Sequence, residues 1–282
     1  MVIIWGLNFT IVKFALQSLS PLTFNTLRFS MATLLLLLIT RLRGESFELR
    51  RQDILPIILL GFCGHTLYQA FFINGLARTT PAVASLLMAT SPLFVAIYGY
   101  VLGIERARPL VVAGLLVSFL GVMLLIVGGN GDLNLRSDTL LGNLLVLFAA
   151  MMWAGYTLGG KPLLARYSPL KLNALTMVPG TLFLALISVP QISNQNWAAV
   201  TPGAWAALAY STIFAVVVGY VLWYTGVQRI GGARTAIYSN LTPFVALVSA
   251  AVLLGDRLEP LQLIGALVVI AGIWLTRRGR SG

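Results

Sequence analysis

The chain of 282 residues is 58% hydrophobic and only 10% charged, with a mean hydropathy of +0.90 and a formal net charge of +11. Soluble domains carry roughly 25% charged residues, so this composition excludes an ordinary soluble protein and is typical of a membrane protein. The apolar runs do not alternate with polar residues as barrel strands do, so we expect helices. The positive charge has to be divided between two membrane faces before it indicates a partner, and we expect no nucleic acid.

Ten apolar windows follow one another along the chain, each close to the length that a helix needs to cross a bilayer. They cover residues 1–18, 22–40, 54–76, 81–103, 109–128, 140–160, 169–189, 203–227, 232–254 and 260–276. If the N-terminus is cytoplasmic, most of the Lys and Arg residues fall on the cytoplasmic side of these windows. The positive-inside rule therefore predicts that both termini are cytoplasmic.

The second half of the chain repeats the first. A shift of 148 residues aligns Trp5 with Trp153 and Lys13 with Lys161, and a shift of 151 aligns later positions such as Pro92 and Pro243. Because each copy has five windows, an odd number, the second copy has to be inverted in the membrane.

This repeat divides the chain into four parts. We predict a first five-helix repeat over 1–128, a linker over 129–139, a second, inverted repeat over 140–276 and a basic cytoplasmic tail over 277–282. The first helix has about nine fewer residues before its tryptophan than its copy has, so it looks truncated and we expect residues to be missing ahead of Met1.

Two motifs carry a family resemblance: "SPLFVAIYGYVLGIER" in the first copy and "TPFVALVSAAVLLGDR" in the second. With the paired tryptophans, they resemble the drug/metabolite transporter superfamily, specifically its ten-helix EamA type, which includes YddG-like amino-acid and metabolite exporters. The resemblance implies an all-α integral membrane protein of two inverted five-helix repeats. It also implies a bacterial inner-membrane transporter that exports small metabolites, amino acids first among them, by alternating access.

Two other functions stay open. One is export of drugs or aromatic cations by a member of the same superfamily. The other is an integral-membrane enzyme, which would need acidic metal-binding clusters or a nucleophile motif, and the sequence has neither pattern. We therefore expect no catalytic residue, no metal and no cofactor. The expected partners are a small-molecule substrate and the lipid bilayer, with the oligomeric state open.

The only histidine, His65, lies near the middle of the window 54–76, where an ionisable side chain has to face protein or water. Tyr68, Gln69 and Phe72 share its helical face at i+3, i+4 and i+7. This stripe of aromatic and hydrogen-bonding groups predicts a binding surface for an amphipathic small molecule. The alternative is a packing histidine that bonds to a neighbouring helix.

Further candidate substrate-binding residues lie on helices that would flank the same cavity. They are Trp5, Asn8, Ser85, Met88, Trp153, Tyr156, Tyr220, Trp223 and Ser239. For Tyr68, Tyr220, Trp223 and Tyr224, packing or anchoring at the membrane interface is an equal alternative. Pro92 and Pro243 remove a backbone hydrogen bond at matched positions, so they are candidate hinges for alternate opening or simple packed kinks.

Charged groups are distributed unevenly. Every acidic residue falls in a loop or at a helix end, which weakens a proton-driven pump for cations. Lys13, Arg28 and His65 are possible partners for an anionic group such as a carboxylate. For Lys13 and Arg28 the favoured interpretation is snorkelling to the nearest headgroups. His65 is either the proton-sensitive group or a neutral binding residue.

Small residues also repeat. Gly114 and Gly121 recur as Gly265 and Gly272 in the second copy. They permit close approach of two helix backbones. We expect the helices that carry them to form a scaffold or a contact between the halves, with an oligomer interface as the alternative.

Overall fold

The computed structural model describes residues 1–101, 109–127, 138–230, 235, 242–255 and 259–281. Within these residues every regular element is helical, as the composition predicts. The helices are α1 (Val2–Ala15), α2 (Pro21–Leu42), α3 (Ile54–Gly61), α4 (Tyr68–Arg78), α5 (Pro81–Met88), α6 (Ser91–Val101), α7 (Pro109–Val127), α8 (Asp138–Gly160), α9 (Pro169–Ser193), α10 (Pro202–Tyr210), α11 (Gly219–Ile230), α12 (Thr242–Leu254) and α13 (Pro260–Ser281).

Two short π-helical segments extend these elements into longer rods. Phe62–Leu67 joins α3 to α4, and Ser211–Val218 joins α10 to α11. With them, the chain forms continuous helices over Arg51–Arg78 and Pro202–Arg229, each 28 residues long. Each rod is long enough to cross a hydrocarbon core about 30 Å thick.

Five of the ten predicted windows correspond to helices long and apolar enough to span a membrane. In the described residues these are Pro21–Leu42, Arg51–Arg78, Asp138–Ala165, Pro169–Ser193 and Pro202–Arg229. The other windows contain shorter apolar helices of 10–17 residues. The structure is therefore that of a helical membrane protein.

Several helices begin at a Ser or Thr that is followed by proline. Thr80, Ser168 and Thr201 each accept a hydrogen bond from a backbone N–H three residues later, and Ser20 occupies the same position before α2. A hydroxyl at this position satisfies the backbone N–H of the third helical residue, which the helix leaves unpaired, and proline at the first helical position has no N–H to leave unpaired. The sequence thus fixes where these spans start.

One end of the bundle, here called the Asp53 end, is held by bonds between two loops. Asp53 is 1% exposed, accepts a hydrogen bond from the Tyr167 hydroxyl (2.8 Å) and pairs with Arg166 (2.8 Å). Ser168 donates to Glu45 in the same region. These contacts connect the segment after α2 to the segment after α8.

The opposite end, here called the Arg78 end, has its own connections. Arg78 pairs with Asp138 at 3.0 Å, which joins the end of α4 to the start of α8. The Gln195 side chain accepts from Ser20 N (2.8 Å) and donates to Ser18 O (2.9 Å). The long helices therefore alternate in direction between the two ends.

Two helix pairs, α2 with α9 and α7 with α13, pack antiparallel. Between α2 and α9, Thr26 bonds Ser188 (2.7 Å) and Thr33 bonds Thr181 (2.8 Å), so the later residue of one helix meets the earlier residue of the other.

The pair α7 and α13 approaches closely at its glycines, as predicted. A Cβ added to Gly121 would lie 2.8 Å from Gly265 O, and one added to Gly272 would lie 2.6 Å from Gly114 O.

The predicted window 81–103 is a pair of helices rather than one kinked helix. The α-helix stops at Met88 and restarts at Ser91, because Pro92 has no N–H with which to bond Met88 O. The Ser91 hydroxyl donates to that carbonyl instead, at 2.6 Å. Pro243 is the second residue of α12, and the residues just before α12 lie outside the described part.

Candidate functional site

A network of polar side chains lies in the centre of the bundle around Arg28, which is 2% exposed. Its Nη1 donates to Ser211 Oγ (2.9 Å), and its Nη2 donates to Asn25 Oδ1 (2.6 Å) and Gln69 Oε1 (2.7 Å). Ser211 in turn donates to Asn8 Oδ1 at 2.7 Å. The network therefore joins α1, α2, α4 and the π-helical segment after α10. We call these residues, with Tyr220, the Arg28 network.

Tyr220 connects the Arg28 network to a second polar group around His65. The Tyr220 hydroxyl accepts from Gln69 Nε2 (2.7 Å), and its ring lies 5.5 Å from the imidazole. His65 is fully buried, and its Nε2 lies 3.0 Å from Thr176 Oγ1. Within the part of the chain that the structure describes, Nδ1 has no hydrogen-bond partner.

Glycines hold α9 and α8 close to the segment that carries His65. A Cβ on Gly180 would lie 2.5 Å from His65 Cβ and 2.6 Å from Gly61 O, and a Cβ on Gly64 would overlap the Tyr156 ring. The segment itself is π-helical, a conformation frequent at functional sites. Close backbone packing therefore fixes where the imidazole points, against Tyr156 at 5.0 Å.

Three tryptophans and Tyr220 form an aromatic cluster beside these polar groups. Trp5 and Trp153 lie 5.7 Å apart, and Trp223 lies 5.6 Å from Trp5 and 5.2 Å from Trp153, measured between ring centroids. Tyr220 contacts Trp153 edge to face at 5.4 Å. The Trp5 indole donates to Ala215 O, whereas the buried Trp223 Nε1 has no partner in the described ranges. The cluster offers a large apolar surface next to the Arg28 network.

Most of the sequence-predicted site residues meet in this region. The structure brings together His65, Tyr68, Gln69, Asn8, Trp5, Trp153, Tyr156, Tyr220 and Trp223. Phe72 packs on Phe9 and Tyr68 at the edge of the group, and Met88 packs against the larger hydrophobic cluster that includes Trp153, Tyr220 and Trp223.

Two predicted residues are not part of this group as the structure describes it. The Ser85 hydroxyl donates to Ala82 O of its own helix, so none of its described hydrogen bonds joins it to the Arg28 network. Ser239 lies outside the described residues.

The expectation that Arg28 and Lys13 snorkel to headgroups is wrong. Arg28 is buried in the network, and Lys13 Nζ donates to the carbonyls of Leu76, Ala77 and Thr79 at 2.8–3.0 Å. Those carbonyls belong to the end of α4, where a cation interacts favourably with the helix dipole. Both cations therefore bind protein groups.

Sequence reasoning did not select Asn25, Asn173, Thr176 or Ser211 as site residues. The 148-residue shift also aligns Asn25 with Asn173, and this match is the signal in the sequence that could have selected them. The structure shows that Asn25 Nδ2 donates to Gln69 O (2.9 Å) and that Asn173 Nδ2 donates to Tyr220 O (3.2 Å). Ser and Thr are common packing residues in membrane helices, so nothing in the pattern distinguished those two.

The sequence matches a known family over nearly its whole length, at residues 1–127 and 140–278, and that family is described as the EamA-like transporter family. The chain belongs to the EamA-like transporter family. It is thus a multi-pass membrane transporter.

Several proteins are similar to this EamA-like chain over nearly their whole length. An "uncharacterized transporter" of Archaeoglobus fulgidus is 31% identical, over 97% of this chain and 93% of the relative. A "probable terminal-alkyne amino-acid exporter" of Streptantibioticus cattleyicolor is 30% identical, over 100% and 92%. A "probable amino-acid metabolite efflux pump" of Escherichia coli is 28% identical, over 97% and 91%.

A solved crystal structure of a protein 20% identical in sequence has the same fold. It superimposes with a TM-score of 0.71 and covers 98% of this chain and 95% of the other.

Proposed function

We propose that this EamA-like protein exports small metabolites, amino acids first among them, from the bacterial cytoplasm by alternating access between two inverted five-helix halves. The central group built around His65, the tryptophans and the Arg28 network is the proposed substrate site. The single observation that carries the proposal is that both halves of the chain contribute to this one buried group, through Trp5 and Gln69 from the first half and Trp153 and Tyr220 from the second.

Contacts between repeat-related residues support the inverted repeat. The 148-residue shift relates Thr33 to Thr181, and these two hydroxyls lie 2.8 Å apart. Trp5 and Trp153, related by the same shift, also touch. In a two-fold arrangement, only residues next to the axis meet their own counterparts. Such an axis would run between α2 and α9 and through the aromatic cluster.

The second register of the repeat supports the same axis. The 151-residue shift relates Gln69 to Tyr220, which are bonded at 2.7 Å, and Ser118 to Val269, whose carbonyl accepts from the Ser118 hydroxyl. Repeat-related helices that run antiparallel, as α2 and α9 do, are what an inverted second copy requires. The two family matches fall on either side of the proposed 129–139 linker.

Two repeat-related lysines support alternation between conformations. Lys13 donates hydrogen bonds to the carbonyls at the end of α4, whereas the side chain of its counterpart Lys161 is exposed. Inverted halves exchange their conformations when a carrier changes the side to which it opens. We therefore expect Lys161 to bond the carbonyls at the end of α11 in the alternate conformation, while Lys13 is released.

The charge distribution supports the proposed orientation. In the described residues, the Asp53 end carries Arg41, Arg43, Arg50, Arg51, Lys161, Arg166, Lys171 and Arg229. The Arg78 end carries Lys13 and Arg78. By the positive-inside rule, the Asp53 end is the cytoplasmic end and the exported molecule leaves at the Arg78 end.

Export of aromatic cations is the second candidate, and the aromatic cluster is what favours it. Tryptophan faces attract cations. The buried guanidinium of Arg28 in the adjacent network acts against it, because a cationic substrate would bring a second positive charge into the same low-dielectric space. Amino acids, which carry a carboxylate, are therefore the first substrates to test.

The test is exchange of radiolabelled amino acids across proteoliposomes that contain the purified protein. We expect saturable uptake above that of empty liposomes, and a decrease of about tenfold in His65→Ala, equivalent to about 1.4 kcal/mol of binding. Leu34→Ala, on the exposed face of α2, is the matched control and should transport like wild type. If neither amino acids nor aromatic cations exceed empty liposomes, the substrate assignment is wrong.

The energy source is tested in the same vesicles. A proton gradient imposed in either direction should change the initial rate if transport is coupled to protons. A rate that does not respond to the gradient identifies facilitated diffusion or exchange instead.

A further inference from the structure

We propose that Arg28 binds an anionic group of the transported molecule, a carboxylate in the case of an amino acid, and so selects acids over the corresponding amides. This inference rests on the proposed function, because it specifies which end of the substrate the central site recognises. The evidence is the burial of Arg28, the neutrality of its partners, its unused donor and its absence from the second copy.

The partners of Arg28 leave its charge uncompensated. The three acceptors, on Asn25, Gln69 and Ser211, are all neutral oxygens. In the described part of the chain, the ion pairs are Arg78 with Asp138 and Arg166 with Asp53, both at the ends of the bundle. Because a guanidinium stays protonated and a buried charge is costly without a counter-ion, an anion that enters this space is strongly favoured.

The guanidinium also has donor capacity left. It carries five N–H groups and makes three described hydrogen bonds, and its Nε has no partner among the described residues. The rings of Phe24 and Phe29 lie 5.4 and 5.2 Å from its central carbon and hold the group in place. A planar, fixed guanidinium with a free donor matches the geometry of a carboxylate.

The second copy shows which bond is needed to join these two helices, here called the helix joint. Asn173 donates to Tyr220 O just as Asn25 donates to Gln69 O. The same bond therefore joins α2 to α4 in the first copy and α9 to α11 in the second.

The second copy makes this bond without a cation. The residue that corresponds to Arg28 is Thr176, whose hydroxyl donates to Leu172 O of its own helix. The second copy therefore packs the same helices without a buried charge. Because the second copy forms this bond without a cation, packing of the two helices does not account for Arg28.

The surroundings indicate the rest of the ligand. Tyr220 lies between Gln69, a partner of Arg28, and the rings of Trp5 and Trp153. A carboxylate at Arg28 thus places the body of the molecule against aromatic surface. The matching ligands are amino acids or carboxylic acids with a large apolar side chain.

The first test measures ligand-induced thermal stabilisation of the wild-type protein in detergent. The probes are phenylalanine, N-acetylphenylalanine and phenylalaninamide, which share a side chain and differ in the carboxylate and the amine. We expect the two acids to raise the melting temperature at concentrations at least tenfold below those that phenylalaninamide needs, because a charge-assisted bond is lost in the amide. Equal potency of acid and amide, or no shift with any probe, overturns the inference.

The second test assigns the preference to Arg28. Arg28→Gln should abolish the difference between acid and amide, and Arg28→Lys should retain part of it because the charge remains. Arg78→Gln, which removes an arginine at the end of the bundle, should leave the ratio unchanged. If Arg28→Gln does not fold, as judged by size-exclusion chromatography, the wild-type comparison still decides the inference.

The outcomes separate this inference from the proposed function. Acid-selective stabilisation without transport in proteoliposomes would support the anion site and contradict the exporter. Transport of amino acids with equal inhibition by acid and amide would support the exporter and contradict the anion site.

Discussion

The contact between α7 and α13 gives the sharpest prediction, because two glycines face backbone rather than flexible side chains. A Cβ on Gly121 would lie 2.5 Å from Val269 N and 2.8 Å from Gly265 O. Ordinary van der Waals contact begins near 3.4 Å. The helices would therefore have to separate by about 1 Å, which forfeits a quarter to a half of the dispersion energy of the atoms concerned.

From this geometry we expect Gly121→Ala to lower the free energy of unfolding by about 1–3 kcal/mol, the usual cost of overpacking. Gly272→Ala should behave in the same way, because its Cβ would overlap Ser118 and lie 2.6 Å from Gly114 O. The assay is reversible unfolding of the purified protein in mixed micelles, followed by circular dichroism.

Gly155→Ala is the matched control for these two variants. It also lies in a helix, but its Cβ would meet only Cys63 Sγ, at an ordinary 3.5 Å. Alanine has the higher helix propensity, so Gly155→Ala should be neutral or stabilising by up to about 1 kcal/mol. If Gly121→Ala and Gly155→Ala had the same stability, the close helix contact would be refuted.

Three further predictions concern bonds between elements. Asp53→Asn should lower the free energy of unfolding by about 1–2 kcal/mol, which is less than the cost of breaking a fully buried ion pair because Arg166 is partly exposed. In chemical unfolding, high salt should reduce the difference in stability between this variant and wild type. Thr33→Val and Thr181→Val should show a coupling energy of about 0.6 kcal/mol in a double-mutant cycle, and strict additivity would contradict their bond. Tyr156→Phe, which removes a 3.0 Å bond to Asn173, should cost about 0.5–1.5 kcal/mol in the same unfolding assay, more than Tyr98→Phe, whose bond is longer and part-buried.

The sequence predicts the helices well because hydrophobic length and Ser/Thr-Pro starts are local signals. The starts at Pro21, Pro169 and Pro202 lie within one residue of the predicted windows. The break before Pro92 is harder to predict, because it depends on the Ser91 hydroxyl taking the carbonyl that proline leaves free. The π-helical segments have no sequence signature at all, since the extra residue in the turn is accommodated by packing between helices.

The candidate site was predictable where residue type alone marks a position. His65 and the paired tryptophans stand out because polar and aromatic groups are unusual in the middle of such helices. Arg28 was misjudged, because its seven-residue distance from the start of α2 allows either snorkelling or burial. Only the positions of Ser211 and Gln69, on other helices, decide between the two.

The most direct experiment asks whether substrate reaches the aromatic cluster. Three of the six tryptophans, Trp197, Trp205 and Trp274, are exposed, and the other three form the cluster. A variant in which the exposed three are replaced by phenylalanine therefore reports fluorescence from the proposed site alone. We predict that titration with a transported amino acid changes its emission saturably, at the concentrations that saturate exchange. Exchange at wild-type rates with unchanged emission would contradict a substrate site between the two halves.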